Sequence, residues 1–286
     1  MQKKPDWLRK KLIIDPNQDA VFDILRQLDL NTVCREANCP NSLECHAAKT
    51  ATFMILGTKC TRNCTFCNVA YGSPDTPDPL EPEHVADAVS RLGLRYAVVT
   101  SVTRDDIPDG GARRFAETIK AIRRREPKTA IEVLIPDFRG NDAALSVVAD
   151  AAPDVISHNM ETVKALYPEV RPQADYGRSL DLIRKIRCMN PNIKSKSGIM
   201  LGLGETKEQV LEALGDLIGA GCAFLTVGQY LAPSPAHHAV CEYIRPEVFE
   251  EYKLIADKLG FEFTASAPFV RSSYRAGEAM GFLEKE

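Results

Sequence analysis

Residues 53–56 form a short apolar run (Phe-Met-Ile-Leu), and from there to residue 265 such runs alternate with longer amphipathic stretches. A short apolar run bounded by turn residues predicts a buried strand, and apolar positions three and four apart predict one face of a helix. Strands are expected at 53–56, 97–100, 131–135, 155–159, 198–201, 223–229 and 261–265. Helices are expected at 82–92, 112–125, 143–151, 176–188, 208–218 and 247–259. The stretch 208–218, for example, puts Val210, Leu211, Leu214, Leu217 and Ile218 on one side. Upstream, Val21, Ile24, Leu25 and Leu28 have helical spacing within 21–30, and 33–48 reads as loop around Asn38, Pro40 and Asn41.

Apolar strands alternating with helices argue for an α/β chain with a parallel sheet covered on its outer side. About six strand–helix units of roughly thirty residues fall short of the eight that close a full barrel. The pattern therefore predicts a partial (β/α)6 TIM-like barrel, with an open doubly wound sheet as the alternative. In either fold the chemistry belongs at the carboxyl ends of the strands. The barrel is assigned to residues 51–265, with extensions at 1–50 and 266–286.

The net charge of −3 and pI of about 6.0 give no reason to expect a nucleic-acid surface. No run approaches the roughly 18 apolar residues of a membrane helix, and the charged start of the chain is followed by no signal-peptide core. A cytoplasmic protein without membrane or nucleic-acid partners is expected. In a reducing compartment the nine cysteines do not read as a disulfide framework. Six of them lie between Cys34 and Cys67. Cys188, Cys222 and Cys241 are scattered and read as small buried hydrophobes.

The later group, Cys60-x3-Cys64-x2-Cys67, directly follows the first expected strand. Thiolates are soft ligands suited to iron–sulfur clusters, zinc or Cu(I). Three of them on one loop leave one iron of a four-iron cluster open to a small molecule. A closed zinc site wants a fourth ligand and remains the alternative. Cys-x3-Cys-x-aromatic-Cys at this point resembles the radical S-adenosylmethionine superfamily. The resemblance implies a [4Fe–4S] cluster whose open iron binds S-adenosylmethionine, with Phe66 beside adenine. It also makes Thr100 and Ser101 candidate contacts for the methionine end, with Glu132 and Asn159 as candidate ribose and carboxylate contacts. Asp105 and Asp106, just beyond, suit function or turn capping equally. The segment 198–205, Gly-Ile-Met-Leu-Gly-Leu-Gly-Glu, resembles the superfamily's adenine-side strand.

The earlier group is Cys34-x4-Cys39-x5-Cys45, and 271–274 reads Arg-Ser-Ser-Tyr. From Cys45 to Cys60 an extended chain reaches at most about 50 Å, so both groups can face one cavity. Together these motifs resemble the lipoyl synthase family. By that resemblance Cys34, Cys39, Cys45 and Ser273 hold a second, auxiliary [4Fe–4S] cluster, and a C-terminal extension closes over the barrel mouth. Two sulfur atoms from that cluster would enter C6 and C8 of an octanoyl group amide-linked to a carrier-domain lysine. Expected partners are octanoylated carriers, namely H protein and 2-oxo acid dehydrogenase acyltransferase subunits, and a ferredoxin or flavodoxin electron donor. Biotin synthase, the other sulfur inserter, lacks the first triad. A two-cluster electron carrier remains an alternative from another class. His237 and His238 read as exposed loop residues without a role.

Overall fold

The computed structural model describes residues 3–10 and 14–282. The ends of both expected extensions, 1–2 and 283–286, and residues 11–13 lie outside the described residues. Seven parallel strands form one sheet in sequence order. They are β1 (Thr52–Ile55), β2 (Tyr96–Ser101), β3 (Ala130–Leu134), β4 (Val155–Ser157), β5 (Lys194–Leu201), β6 (Phe224–Gln229) and β7 (Phe263–Ser266). β1 and β7 are the two edges, so the sheet is a curved partial barrel, as expected, rather than a doubly wound sheet. The long helices are α1 (Pro16–Gln27), α2 (Glu81–Leu92), α3 (Ala112–Arg125), α4 (Asp142–Asp150), α5 (Tyr176–Met189), α6 (Lys207–Gly219) and α7 (Pro246–Leu259).

The strands alternate, as a period of two requires. Phe53, Ile55, Ala97, Val99, Ile131, Val133 and Ile156 pack outward against Val85, Val89, Phe115, Ile119 and Ile122 of the helices. Ile199, Leu201, Leu225 and Val227 do the same against Val210, Leu214, Leu217 and Phe249. The intervening residues face inward and are mixed in character. Among them Lys196 reaches both carboxylate oxygens of Glu132 at 2.9 Å, and the Tyr96 hydroxyl donates to Glu132 Oε2 at 2.7 Å. Lys196 is 1% and Glu132 0% exposed. Glu132, a candidate cofactor contact, is thus paired within the fold to a buried ammonium and a phenol.

Sequence periodicity missed two short helices, Val33–Glu36 and Ser42–Ala47, inside the expected loop at 33–48. One turn cannot display a 3.6-residue repeat. The first is instead stabilised by Thr32, whose hydroxyl oxygen accepts from Arg35 N. Cys222 is buried as expected, but Cys188 and Cys241 are exposed. Single residues carry no periodic signal to place them.

After β7 the chain folds back over the end of β6, where Gln229 N donates to Pro268 O. Val270 O would stand 2.1 Å from any Cβ at position 228, so the close approach requires Gly228. The extension touches the mouth there and then continues to the opposite end. Ser273 meets Thr52 at the start of β1, and Ala279 packs on Val155 and Phe224. Among the described residues no helix is long and apolar enough to cross a membrane.

Two outcomes are expected from this framework. Lys196→Met leaves the Glu132 carboxylate buried without its cation, which costs about 3–5 kcal/mol, whereas pairing it with Glu132→Gln recovers most of the loss. Urea unfolding of the three proteins measures this, and equal stability of the single and double variants would refute it. The second concerns Glu81, at the start of α2, whose two oxygens both accept from Leu56 N at 3.0 Å. Burial pushes its carboxyl from an ordinary 4.5 up to about 7, partly opposed by the Leu56 N–H. The folded state thus holds a proton that the unfolded chain releases. Its contribution is complete below pH 4.5 and is lost as pH rises to about 7, a swing of about 3 kcal/mol. Glu81→Gln should flatten that slope in unfolding curves taken from pH 5 to 8.

Candidate active site

β1 delivers the chain to a loop carrying Cys60, Cys64 and Cys67. Leu56 and Gly57 both take left-handed backbone angles (φ 71° and 93°) to make the turn. Several independent anchors hold the loop. Arg62, 5% exposed in its side chain, pairs with Asp105 at 2.7 Å and with Asp137 at 2.7 Å. Thr61 N donates to Thr103 O, and Asp105 N donates to Thr61 Oγ1. Asp105, one of two residues expected either to function or to cap, thus braces the loop, while Asp106 pairs with Arg104. Thr65 N donates to Val170 O at 3.1 Å. Cys60 Sγ accepts from Arg62 N at 3.4 Å and Thr103 N at 3.3 Å.

The electrostatics of the loop call for a cation. Burial, reinforced by repulsion from the neighbouring Cys64 and Cys60, pushes the Cys67 thiol up to about 12. Cys64 is raised by burial too, against the opposing pull of Arg171. Buried thiols such as Cys64 and Cys67 are stabilised as thiolates by a metal that supplies positive charge. Their donor chemistry and the N–H bonds to sulfur suit an iron–sulfur cluster. Among the described residues, no three His, Cys, Asp or Glu side chains converge as ligands of a single metal ion.

The inner wall beside the loop holds polar atoms that are buried without a partner: Ser101 Oγ, Ser157 Oγ, Asn159 Oδ1 and Arg171 Nε. A buried polar atom left unsatisfied in a folded protein marks a place for water or ligand. Two of the expected contacts, Ser101 and Asn159, are in this group. Thr100 differs, because its hydroxyl donates to Leu134 O at 2.9 Å. Gly198 faces the same space, where a Cβ would stand 2.6 Å from Thr226 Oγ1 and 3.0 Å from Asn159 Oδ1. Phe66 packs with Val170, Leu203 and Tyr230.

Two residues of this wall were not singled out in the sequence. Glu161 accepts from Asn159 Nδ2 at 3.0 Å and sits at φ 65°, a strained angle for a residue with a side chain. Burial raises its carboxyl, with Arg171 pulling it down. Arg171 donates to Asn159 O at 2.8 Å and Met160 O at 3.1 Å. The signal available was the polar string His158-Asn159-x-Glu161-Thr162 directly after a strand.

The first cysteine group lies at the other end of β1. Burial raises Cys34 to about 11 and Cys45 to about 12, and Cys34 and Cys39 both add repulsion at Cys45. A cavity of about 430 Å³ is lined by Cys34, Cys45, Thr52, Tyr96 and Ser273 among others. The C-terminal turn is tied in by Glu44. Burial pushes the Glu44 carboxyl up, but hydrogen bonds from Lys10, Tyr274 and Arg275 outweigh it and pull it down to about 2. Asn41 Nδ2 donates to Phe269 O at 2.7 Å, and Thr52 Oγ1 donates to Ser273 Oγ at 2.8 Å. Its neighbour Ser272 turns the other way and accepts from Asn159 Nδ2 at 2.6 Å. One turn therefore touches both the first cysteine region and the inner wall at Asn159.

Similarity to known proteins bears on family and fold. The family model of the radical SAM superfamily matches residues 54–217. The chain resembles SuiB of Streptococcus suis bound to S-adenosylmethionine in fold, with a TM-score of 0.59 at 13% identity, covering 74% of this chain and 49% of that one. It also resembles methylornithine synthase PylB, with a TM-score of 0.56 at 12% identity over 91% and 85% of the two chains. It is 55% identical to a lipoyl synthase of Alkaliphilus metalliredigens over 98% of this chain and 97% of that one. With a lipoyl synthase of Geobacter metallireducens it shares 52% identity over 98% and 99%. The chain belongs to the lipoyl synthase family, within the radical SAM superfamily.

Proposed function

We propose that the chain inserts two sulfur atoms, at C6 and C8, into an octanoyl group amide-linked to a carrier-domain lysine, and so forms the lipoyl group. The observation that carries this reading is the Arg-Ser-Ser-Tyr turn, with Ser272 on Asn159 and Ser273 on Thr52. That turn joins the cavity lined by Cys34 and Cys45 to the polar inner wall at Asn159.

Cys60, Cys64 and Cys67 would hold a four-iron cluster with one iron open to S-adenosylmethionine. Cys34, Cys39, Cys45 and Ser273 would hold the second. When bound, these groups supply a 5′-deoxyadenosyl radical to break an alkyl C–H bond and sulfide to replace it. That division of labour suits a carbon without useful acidity, which no side-chain base can open. The protein's part is to orient and to keep water out. Phe66 would flank adenine. Ser101 and Asn159 have unpartnered polar atoms to offer the nucleoside and its methionine, and Arg171 extends that set. Ser273 contributes a hard oxygen among soft sulfurs, a weak ligand for iron. Residues 1–50 and 266–286 act in this reading as extensions that build the second site on a barrel formed by 51–265.

Octanoylated H protein or acyltransferase subunits are the proposed substrates, and ferredoxin or flavodoxin the electron source. Nine free cysteines suit the reducing cytoplasm. A two-cluster electron carrier would hold the same metals without the chemistry. Anaerobic reconstitution should yield about eight iron and eight sulfide per chain, and reduction with S-adenosylmethionine present should release 5′-deoxyadenosine. One zinc per chain without sulfide, or no deoxyadenosine, would sink the proposal. Ser273→Cys should keep the iron content yet lower lipoyl product several-fold, because a fourth thiolate makes the cluster harder to dismantle. Full product formation in that variant would remove Ser273 from the mechanism.

A further inference from the structure

The loop that follows β6 does not hang free, contrary to its reading as an exposed turn. It crosses the cysteine loop and bonds to it at two points. His238 N donates to Thr65 O at 2.9 Å, and His237 Nε2 lies 3.1 Å from Cys67 O. A carbonyl oxygen can only accept, so His237 carries its proton on Nε2. Nδ1 is then a lone pair, and Ser234 Oγ, 2.8 Å away, donates to it. The serine thus holds the ring in the tautomer that grips the cysteine loop. By the same logic His238 Nε2 donates to Leu203 O at 2.9 Å, in the segment just beyond β5. Tyr230 OH donates to His238 O at 2.7 Å and fixes the loop from below.

The two ends of the cysteine loop are secured differently. The Cys60 end is braced by the Arg62 ion pairs with Asp105 and Asp137. The Cys64–Cys67 end is held by backbone and imidazole hydrogen bonds, with the Glu169 carboxylate 3.4 Å from His238 Nδ1. There the described bond reaching the Cys67 backbone from outside the loop is the one from His237. Phe66 lies between these contacts and packs on Leu203 and Tyr230.

We infer that His237 and His238 form a clasp that sets the cysteine loop against the Leu203 wall, and that His237 is a positioning residue for S-adenosylmethionine. The clasp acts through Cys67 and Phe66 and does not touch the reacting carbon. It rests on the assignment of Cys60, Cys64 and Cys67 as cluster ligands. Losing one neutral hydrogen bond changes an equilibrium by about two- to tenfold.

The test uses fully reconstituted wild type, His237→Ala and His237→Gln, with iron and sulfide counted in each. In His237→Ala the KM for S-adenosylmethionine should rise about two- to tenfold, while the KM for the octanoylated carrier stays unchanged. The perturbation that S-adenosylmethionine makes in the electron paramagnetic resonance signal of the reduced cluster should need correspondingly more of it. His237→Gln, whose amide N–H can reach Cys67 O, should restore both readouts. If the alanine variant fails to load iron, Ser234→Ala, which removes the donor to His237 Nδ1 and the acceptor of the Ala236 N–H but leaves the His237 ring in place, should show a smaller shift in the same direction. Wild-type titrations in His237→Ala or in Ser234→Ala, or no rescue by glutamine, would overturn the clasp. A wild-type signal indifferent to S-adenosylmethionine would instead overturn the cluster assignment, and the clasp with it.

Discussion

Three thiols confined to one buried loop repel one another as soon as two of them ionise, and this fold builds that conflict twice. Burial and repulsion from the neighbouring cysteines together lift Cys45 and Cys67 to about 12. At Cys64 the pull of Arg171 and Arg62 is outweighed by burial. The chain must therefore hold each triplet in place by bonds that do not depend on metal. Around the later triplet those bonds are the Arg62 ion pairs and the backbone contacts of Thr61 and Thr65. Around the earlier one they are short helix caps and the Glu44 contacts with Tyr274 and Arg275. A site assembled before the metal arrives loses little entropy when it binds, and its ligands are already aimed.

The open barrel is what allows the second site to exist. A closed eight-stranded barrel fills its interior with side chains and has no free edge. Here seven strands leave β1 and β7 unpaired with each other. The C-terminal extension runs from the mouth near Gly228 to the floor near Val155. On the way it passes the start of β1, where Thr52 meets Ser273. Two segments more than two hundred residues apart in sequence are brought together because one edge of the sheet is open to receive them. The buried Glu132–Lys196–Tyr96 group lies on the interior side of the strands and gives that interior a polar support independent of any cofactor.

The strand and helix pattern was readable because each element is long enough to show its period. The expected helix at 112–125 matches α3 residue for residue, and the seven expected strands all occur. The cysteine spacings were readable because loop ligands cluster in sequence. What escaped is what depends on contact between distant segments. Glu132 looks like a free polar residue on a strand until Lys196, on a strand sixty-four positions later, is brought against it. Arg171 and Glu161 were hidden because each lies in irregular chain after β4, where no period marks the inward side. His237 and His238 looked like surface residues because Pro-rich loops usually are. Their partial burial follows from a crossing of two loops that no local pattern encodes.

That crossing bears on how the two halves of the site stay in register. The Cys60 end of the loop is fixed to segments that follow β2 and β3, while the Cys67 end is fixed to segments that follow β4 and β6. The cysteine loop therefore spans the mouth and ties opposite sides of an open sheet together. Ser272 makes a third tie, from the C-terminal turn to Asn159 after β4. An open barrel can breathe at its unpaired edge, and breathing would alter the distance between the two cysteine groups. Neutral hydrogen bonds of about 1 kcal/mol each are individually too weak to prevent it. Acting together across the same mouth, they restrain a motion that the sheet alone leaves free, and the spacing on which a two-site reaction depends is then set by loops rather than by strands.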